Sequence, residues 1–251
     1  MTSANIRALR SAGGLALLVL VSLATSGCFN PFDPRIALGL GRSEPPPVPA
    51  TAENTLLLFQ WCWRQRAIDE YREIFTDDYE FQFSSLDSAG NAFRDRPWTR
   101  EDELIAATNL FVGGSATEPP ATSIQLDFTS GLVDFPDSRP GKNSIWHREI
   151  RTEVILRVNR GDSQLEVRGP GLFFLVRGDS AAIPQELKLK GFVPNKDRWY
   201  IERWEDETIA EGAAARRAPP PDGVAGASAP PRSQFGPESL TWGTLKAAFR
   251  H

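Results

Sequence analysis

This chain has few of the residues from which reactive centres are built. Its 251 residues include two cysteines, two histidines, one methionine and three tyrosines. His147 and His251 cannot form a His-rich metal site. No CxxC, HExxH, GxSxG, P-loop or GxGxxG motif is present, so neither a metal nor an organic cofactor is expected. The formal net charge is −4, and no basic patch with interleaved aromatics occurs. Both features exclude an ordinary nucleic-acid binder. Lysine is scarce beside arginine, which points to a GC-rich genome and not to a function. The apolar run at residues 15–21 falls well short of the ~20 residues that span a bilayer.

That run has a different meaning in its context. Arg7 and Arg10 precede it with no acid, and small residues follow it up to Cys28. A positive start, a short apolar core and small residues at a cleavage point describe a signal peptide. The sequence Ala24-Thr25-Ser26-Gly27-Cys28 resembles the lipobox of bacterial lipoproteins. The resemblance implies cleavage before Cys28 and diacylglycerol attached to its sulfur. Two or more acyl chains give stable membrane residence, whereas one does not. Phe29 stands where Asp would favour the inner membrane, so the expected location is the outer membrane, facing the periplasm or the cell surface. Cleavage removes two arginines and no acid, leaving a more acidic mature chain. With Cys28 lipidated, Cys62 has no partner for an intramolecular disulfide, and it is expected to pack as a small apolar residue.

The remainder divides by composition. Residues 28–50 form a tether rich in proline, including Pro45-Pro46-Pro47, which favours extended polyproline geometry. Residues 51–208 carry the periodic patterns of one folded domain. Thr51 can cap a helix on which Leu56, Phe59, Trp63 and Ala67 recur, with Leu57, Trp61 and Ile68 widening the stripe. A short second helix is expected over residues 71–75, then a turn at Asp77-Asp78. Residues 79–83 alternate as a strand. Thr99 can cap a third helix, with acids in its first turn and Gly113-Gly114 at its end. Strands follow at 124–128, 145–159 and 165–177, the last two joined at Gly161-Asp162. Gly169-Pro170-Gly171 is expected to bend or bulge the strand that holds it. A final hairpin is expected between 187–193 and 198–204. Residues 209–237 are rich in Ala, Pro, Gly and Ser and are expected to bury little. Residues 238–251 form a short amphipathic piece, with Leu240, Trp242, Leu245 and Phe249 expected to dock.

The stretch from Tyr71 to Phe81, which includes Ile74-Phe75-Thr76-Asp77-Asp78, is similar to the YxxLFxDDxxF segment of NTF2-like, SnoaL-like domains. Trp199-Tyr200-Ile201 resembles their closing WxI strand. The resemblance covers roughly residues 51–208. It implies an α+β fold in which N-terminal helices pack on a curved antiparallel sheet to form a cone, with an apolar pocket at the open end. Dimers through the sheet occur in that family. It also contains both enzymes and non-catalytic members, so the fold does not decide function.

Candidate pocket residues are Trp61, Tyr79, Phe81, Phe83, Trp98, Trp146, Arg148 and Thr152. Arg148 on an otherwise apolar face needs a ligand anion, water at a strand end, or an acid such as Asp78. Asp77 and Asp78 are expected to serve turn chemistry and not catalysis. The first helix lacks the tyrosine that an isomerase site would use as an oxyanion donor. The sequence therefore favours a lipid-anchored envelope protein whose domain binds a small apolar or anionic ligand, or an envelope protein, without catalysis. The alternatives are a SnoaL-like lyase or isomerase acting on a small apolar substrate, and a structural module of envelope assembly.

Overall fold

The first helix, α1 (Ala52–Gln65), begins where the cap is expected: the Thr51 hydroxyl accepts from the Asn54 N–H at 3.1 Å. Leu56, Phe59, Cys62 and Trp63 are buried on one face of it, while Leu57 lies on the exposed side. The helix stops at Arg66, whose φ of 55° turns the chain. A computed structural model describes residues 44–85, 87, 93, 96–116, 118–178, 183–207 and 238–250. Cys28, the leader, most of the tether and the Ala/Pro-rich stretch lie outside them. The chain divides into two units, Met1–Pro45 and Pro46–His251, and every described helix and strand belongs to the second.

After α1 come α2 (Ile68–Arg72), β1 (Phe75–Gln82), β2 (Trp98–Thr99) and α3 (Arg100–Thr108). A π-helical turn, Asn109–Gly113, extends α3. The strands β3 (Ser123–Phe128), β4 (Asp134–Pro136), β5 (His147–Arg160) and β6 (Ser163–Gly178) come next. Then come α4 (Gln185–Leu189), β7 (Asn195–Asp206), β8 (Glu238–Leu240) and α5 (Trp242–Ala248). The class is α+β, with helices on a curved sheet, as expected. The strands run in the order β2-β1-β7-β6-β5-β3, with β4 on β5 and β8 on β6.

The sheet is not wholly antiparallel. β1 pairs with β7 in parallel, and β8 pairs with β6 in parallel. A tight hairpin forces neighbouring strands to run in opposite directions, but long connections impose no such constraint. Both parallel pairs join strands far apart in the chain.

The β5–β6 hairpin turns through Gly161, at φ 52°, and keeps register from Arg160↔Ser163 to His147↔Val176. Pairing with β5 therefore continues without a bulge through Gly169-Pro170-Gly171, where a bend or a bulge is expected from the sequence. The glycine has another use. A Cβ on Gly171 would stand 3.2 Å from the Trp204 indole nitrogen, so its absence lets that ring lie on the sheet. The register shifts fall between β6 and β7, at Phe174/Leu175 and Arg177/Gly178. The first shift changes the alternation on β7, so that Trp199, Ile201 and Trp204 all reach one core. A third shift lies within β1–β7, between Phe75 and Glu80. Asp77 and Asp78 sit there as exposed strand residues and do not form the expected turn.

The predicted 187–193 strand is instead α4 and the loop after it. Leu187 is buried while Leu189 is 81% exposed, so the apparent alternation of the two leucines is not used. Leu187 joins Val176, Ile183 and Tyr200 in a small second core. Asp77 accepts from the Gln185 N–H at 2.7 Å, at the start of α4.

Candidate functional site

The space between the helices and the sheet is the natural place for a pocket, and α5 fills it. Thr241 caps α5 by accepting from the Thr244 N–H at 3.0 Å. Its hydroxyl also donates to Asp87. The Gly243 N–H donates to Asp206 at 3.3 Å, and Asn109 Nδ2 donates to the Phe249 carbonyl at 2.8 Å. Arg250 pairs with Asp102 at 2.6 Å. These contacts direct Trp242, Leu245 and Phe249 inwards, where each is buried. The Trp242 ring meets Trp63 and Trp204 at centroid distances of 5.2 and 4.6 Å, both edge to face. A void of about 10 Å³ is left beside Trp63, Ala106, Ala107, Leu110 and Leu245, enough for about one water.

A buried polar cluster lies at the bottom of this space. Glu103, in the first turn of α3, accepts from Tyr71 Oη at 2.7 Å and from Trp98 Nε1 at 3.0 Å. Lys246 of α5 donates to the same carboxylate at 2.5 Å. Both charged side chains are 2% exposed. The Lys246 ammonium also sits 3.6 Å from the Phe81 ring centroid and 3.8 Å from that of Trp204, a cation–π pairing strengthened by exclusion of water. Burial lowers the pKa of Lys246 to about 8, against the opposing pull of Glu103. Burial, followed by the charge of Glu103, holds Tyr71 and Tyr79 well above the ordinary tyrosine range. The hydroxyl of Tyr79 is buried without a hydrogen-bond partner. At the rim, desolvation pushes Asp102 up, but hydrogen bonds from Arg96, the Thr99 N–H and Arg250 outweigh it and leave its pKa lowered.

The candidate pocket residues do not share one site. Tyr79, Phe81 and Trp98 converge on the Glu103–Lys246 pair as fully buried walls. Phe83 stacks on Phe93 at 4.9 Å, where the two help line an open cleft of about 400 Å³. Trp61 is half-buried at the edge of the core. Trp146, Arg148 and Thr152 find other partners. Arg148 pairs with Asp134, not Asp78, and lines a different cleft. Trp146 is 36% exposed under the Arg177 guanidinium. Thr152 is buried against the Ser130 hydroxyl at 3.0 Å. Cys62 is fully buried, and burial pushes its thiol pKa up, the opposite of an activated nucleophile.

The residues that sequence reasoning missed are Glu103 and Lys246. Read along the chain, Glu103 belongs to the acidic first turn of α3. Yet it lies four residues before Ala107 on the apolar stripe, and Lys246 lies four after Trp242. One charge of each sign on a buried stripe is the signal that could have paired them. Among the described residues, no group of acids, histidines or cysteines is arranged to hold a metal ion.

No protein-family model matches the chain, and no curated protein does. Solved structures with some likeness include a protein from Novosphingobium aromaticivorans assigned as a scytalone dehydratase. Its identity is 11% and its TM-score 0.41, over 62% of this chain and 80% of that one. A conserved protein from Planctomyces limnophilus has 12% identity and a TM-score of 0.40, over 62% and 92%. An NTF2-like superfamily protein from Salmonella enterica serovar Typhimurium has 10% identity and a TM-score of 0.38, over 63% and 88%.

Proposed function

We propose that this chain is a lipid-anchored protein of the bacterial cell envelope whose domain is a non-catalytic binding module. The observation that carries the second half of this reading is the filled interior. A small apolar substrate would need the volume that Trp242, Leu245, Lys246 and Phe249 occupy. A ligand or partner protein would therefore bind outside the cone. An open cleft of about 640 Å³ lies there between α3 and α4 and is lined by Arg72, Asp77, Arg100, Ile105, Asn109 and Glu186. Arg100 and Arg72 both reach Glu186 in it, at 2.6 and 3.8 Å, which suits a small anion or an acidic peptide able to compete with that carboxylate. The anchor rests on the lipobox at Cys28, and Phe29 favours the outer membrane.

Two measurements test this reading. Fatty-acid labelling should mark the wild type and not Cys28→Ser; equal labelling of both removes the anchor. Native mass spectrometry of the mature chain should show any co-purifying ligand lost in Arg100→Ala and kept in Glu103→Gln. Loss in Glu103→Gln alone, with that variant still folded by its thermal melt, would place the ligand in the interior and overturn the outside-cleft reading.

A lyase or isomerase is the second reading. One observation favours it: a buried carboxylate, Glu103, faces two phenols, Tyr71 and Tyr79, held in their protonated form. A carboxylate with phenolic donors is the equipment for moving a proton beside a carbonyl. It would operate only with α5 withdrawn.

A further inference from the structure

Among the described residues ten large hydrophobic side chains are exposed, and five of them mark one end of the domain. Val48 is 72% exposed where the chain enters, next to Pro49, whose carbonyl accepts from the Trp199 N–H at 2.9 Å. Ile145 is 66% exposed and lines a cleft of about 490 Å³ together with Ala50, Glu53, Asp134, Arg148 and Trp199. Val133 and Phe135 flank Asp134 on β4, point from the other face of the sheet at the same end, and are 57% and 55% exposed. Trp146 follows Ile145, and the Arg177 guanidinium stands 5.8 Å from the ring centroids of both Trp146 and Trp199. Exposed apolar groups on both faces of one sheet end mark that end as a contact surface. A tryptophan and aliphatic tips beside arginine heads is the composition that settles at the boundary of acyl chains and headgroups, with the arginines reaching towards phosphate.

The position of the surface selects its occupant. The tether ends at this patch. From Cys28 to Val48 the chain can reach at most about 70 Å when fully extended. A domain held so close meets the bilayer at high effective concentration, so a weak contact suffices. We propose that this end of the domain lies against the lipid headgroup layer, with Phe135, Ile145 and Trp146 at the interface and Arg177, whose Nε donates to the Lys196 carbonyl, exchanging its 3.6 Å pairing with the exposed Asp197 for a phosphate. The inference rests on the lipid-anchor reading, and the test separates the two.

The mature chain is coupled through Cys28 to a maleimide lipid in phosphatidylethanolamine–phosphatidylglycerol vesicles. Cys62 is buried and does not compete. Brominated acyl chains then quench tryptophans at the interface. The wild type should be quenched at least twofold more than Trp146→Phe, and Ile145→Asp with Phe135→Asp should reduce quenching to the Trp146→Phe level while the chain stays tethered. Equal quenching in wild type and Trp146→Phe, or none in either, overturns the proposal and leaves the patch to a protein partner. The anchor is read separately, from the mass of Cys28 in the chain extracted from its own membranes. An unmodified Cys28 would defeat the anchor without altering the quenching result.

Discussion

Glu103 and Lys246 are complementary only because each lies in the other's field. An ion pair this deeply buried adds little net stability over an apolar pair of the same shape, but removing one partner leaves a charge with no water. Lys246→Met and Glu103→Gln should each cost ~3–5 kcal/mol, and the double variant much less than their sum. Chemical denaturation of the four proteins measures the coupling; additive losses would mean that the two residues act independently. A pH effect is expected as well. Lys246 has its folded pKa lowered from 10.5 to about 8. Below about pH 8 both states hold the proton and the penalty is present in full. Between about 8 and 10.5 the unfolded chain holds more protons, so the contribution of this lysine to stability rises with pH. The wild type should gain stability over that range relative to the double variant; parallel curves would show that burial does not perturb this lysine.

At the scale of the element, α5 contributes more than its length suggests. A helix this short is unstable alone and forms only because its apolar face is buried. The Gly243 position shows how tight the fit is: a Cβ there would collide with the Asp87 carboxylate and the Phe83 ring. Gly243→Ala should therefore loosen α5, despite alanine's higher helix propensity. Protease digestion near the C-terminus, faster in Gly243→Ala than in wild type, would report it. Deleting residues 212–237 should cost little if the remaining link spans the gap, whereas deleting 238–251 should lower the melting temperature strongly and expose aromatic surface. Similar losses from the two deletions would contradict this division of the tail.

For the whole molecule, the tryptophans separate core from surface. Trp204 meets Phe59, Phe81, Phe173 and Trp242 within 5.4 Å between centroids, and it is fully buried. Trp204→Ala should cost ~3–5 kcal/mol. Trp146→Ala should cost under ~1 kcal/mol, since a half-exposed ring loses little burial. Thermal melts decide between this and a core that includes both rings.

The elements that could be read along the chain were those whose cause is local. Thr51 and Thr99 cap helices because a hydroxyl reaches backbone N–H groups three residues on. The β5–β6 hairpin follows from alternation on both sides of Gly161. Trp242, Leu245 and Phe249 had to be covered because their stripe is apolar. What tertiary structure alone decided depends on residues distant in sequence. The parallel pairing of β1 with β7 has no local signature. The one-residue shift between β6 and β7 sends Trp204 inwards. The 187–193 segment alternates like a strand but forms a helical turn and a loop, because the second core takes Leu187 and Phe192 and leaves Leu189 and Val193 in solvent. The interior site became visible only when α5 brought Lys246 to Glu103 across 143 residues. Burial and charge compensation are properties of a volume, and periodicity along a chain reports which face is apolar but not which charge will meet it.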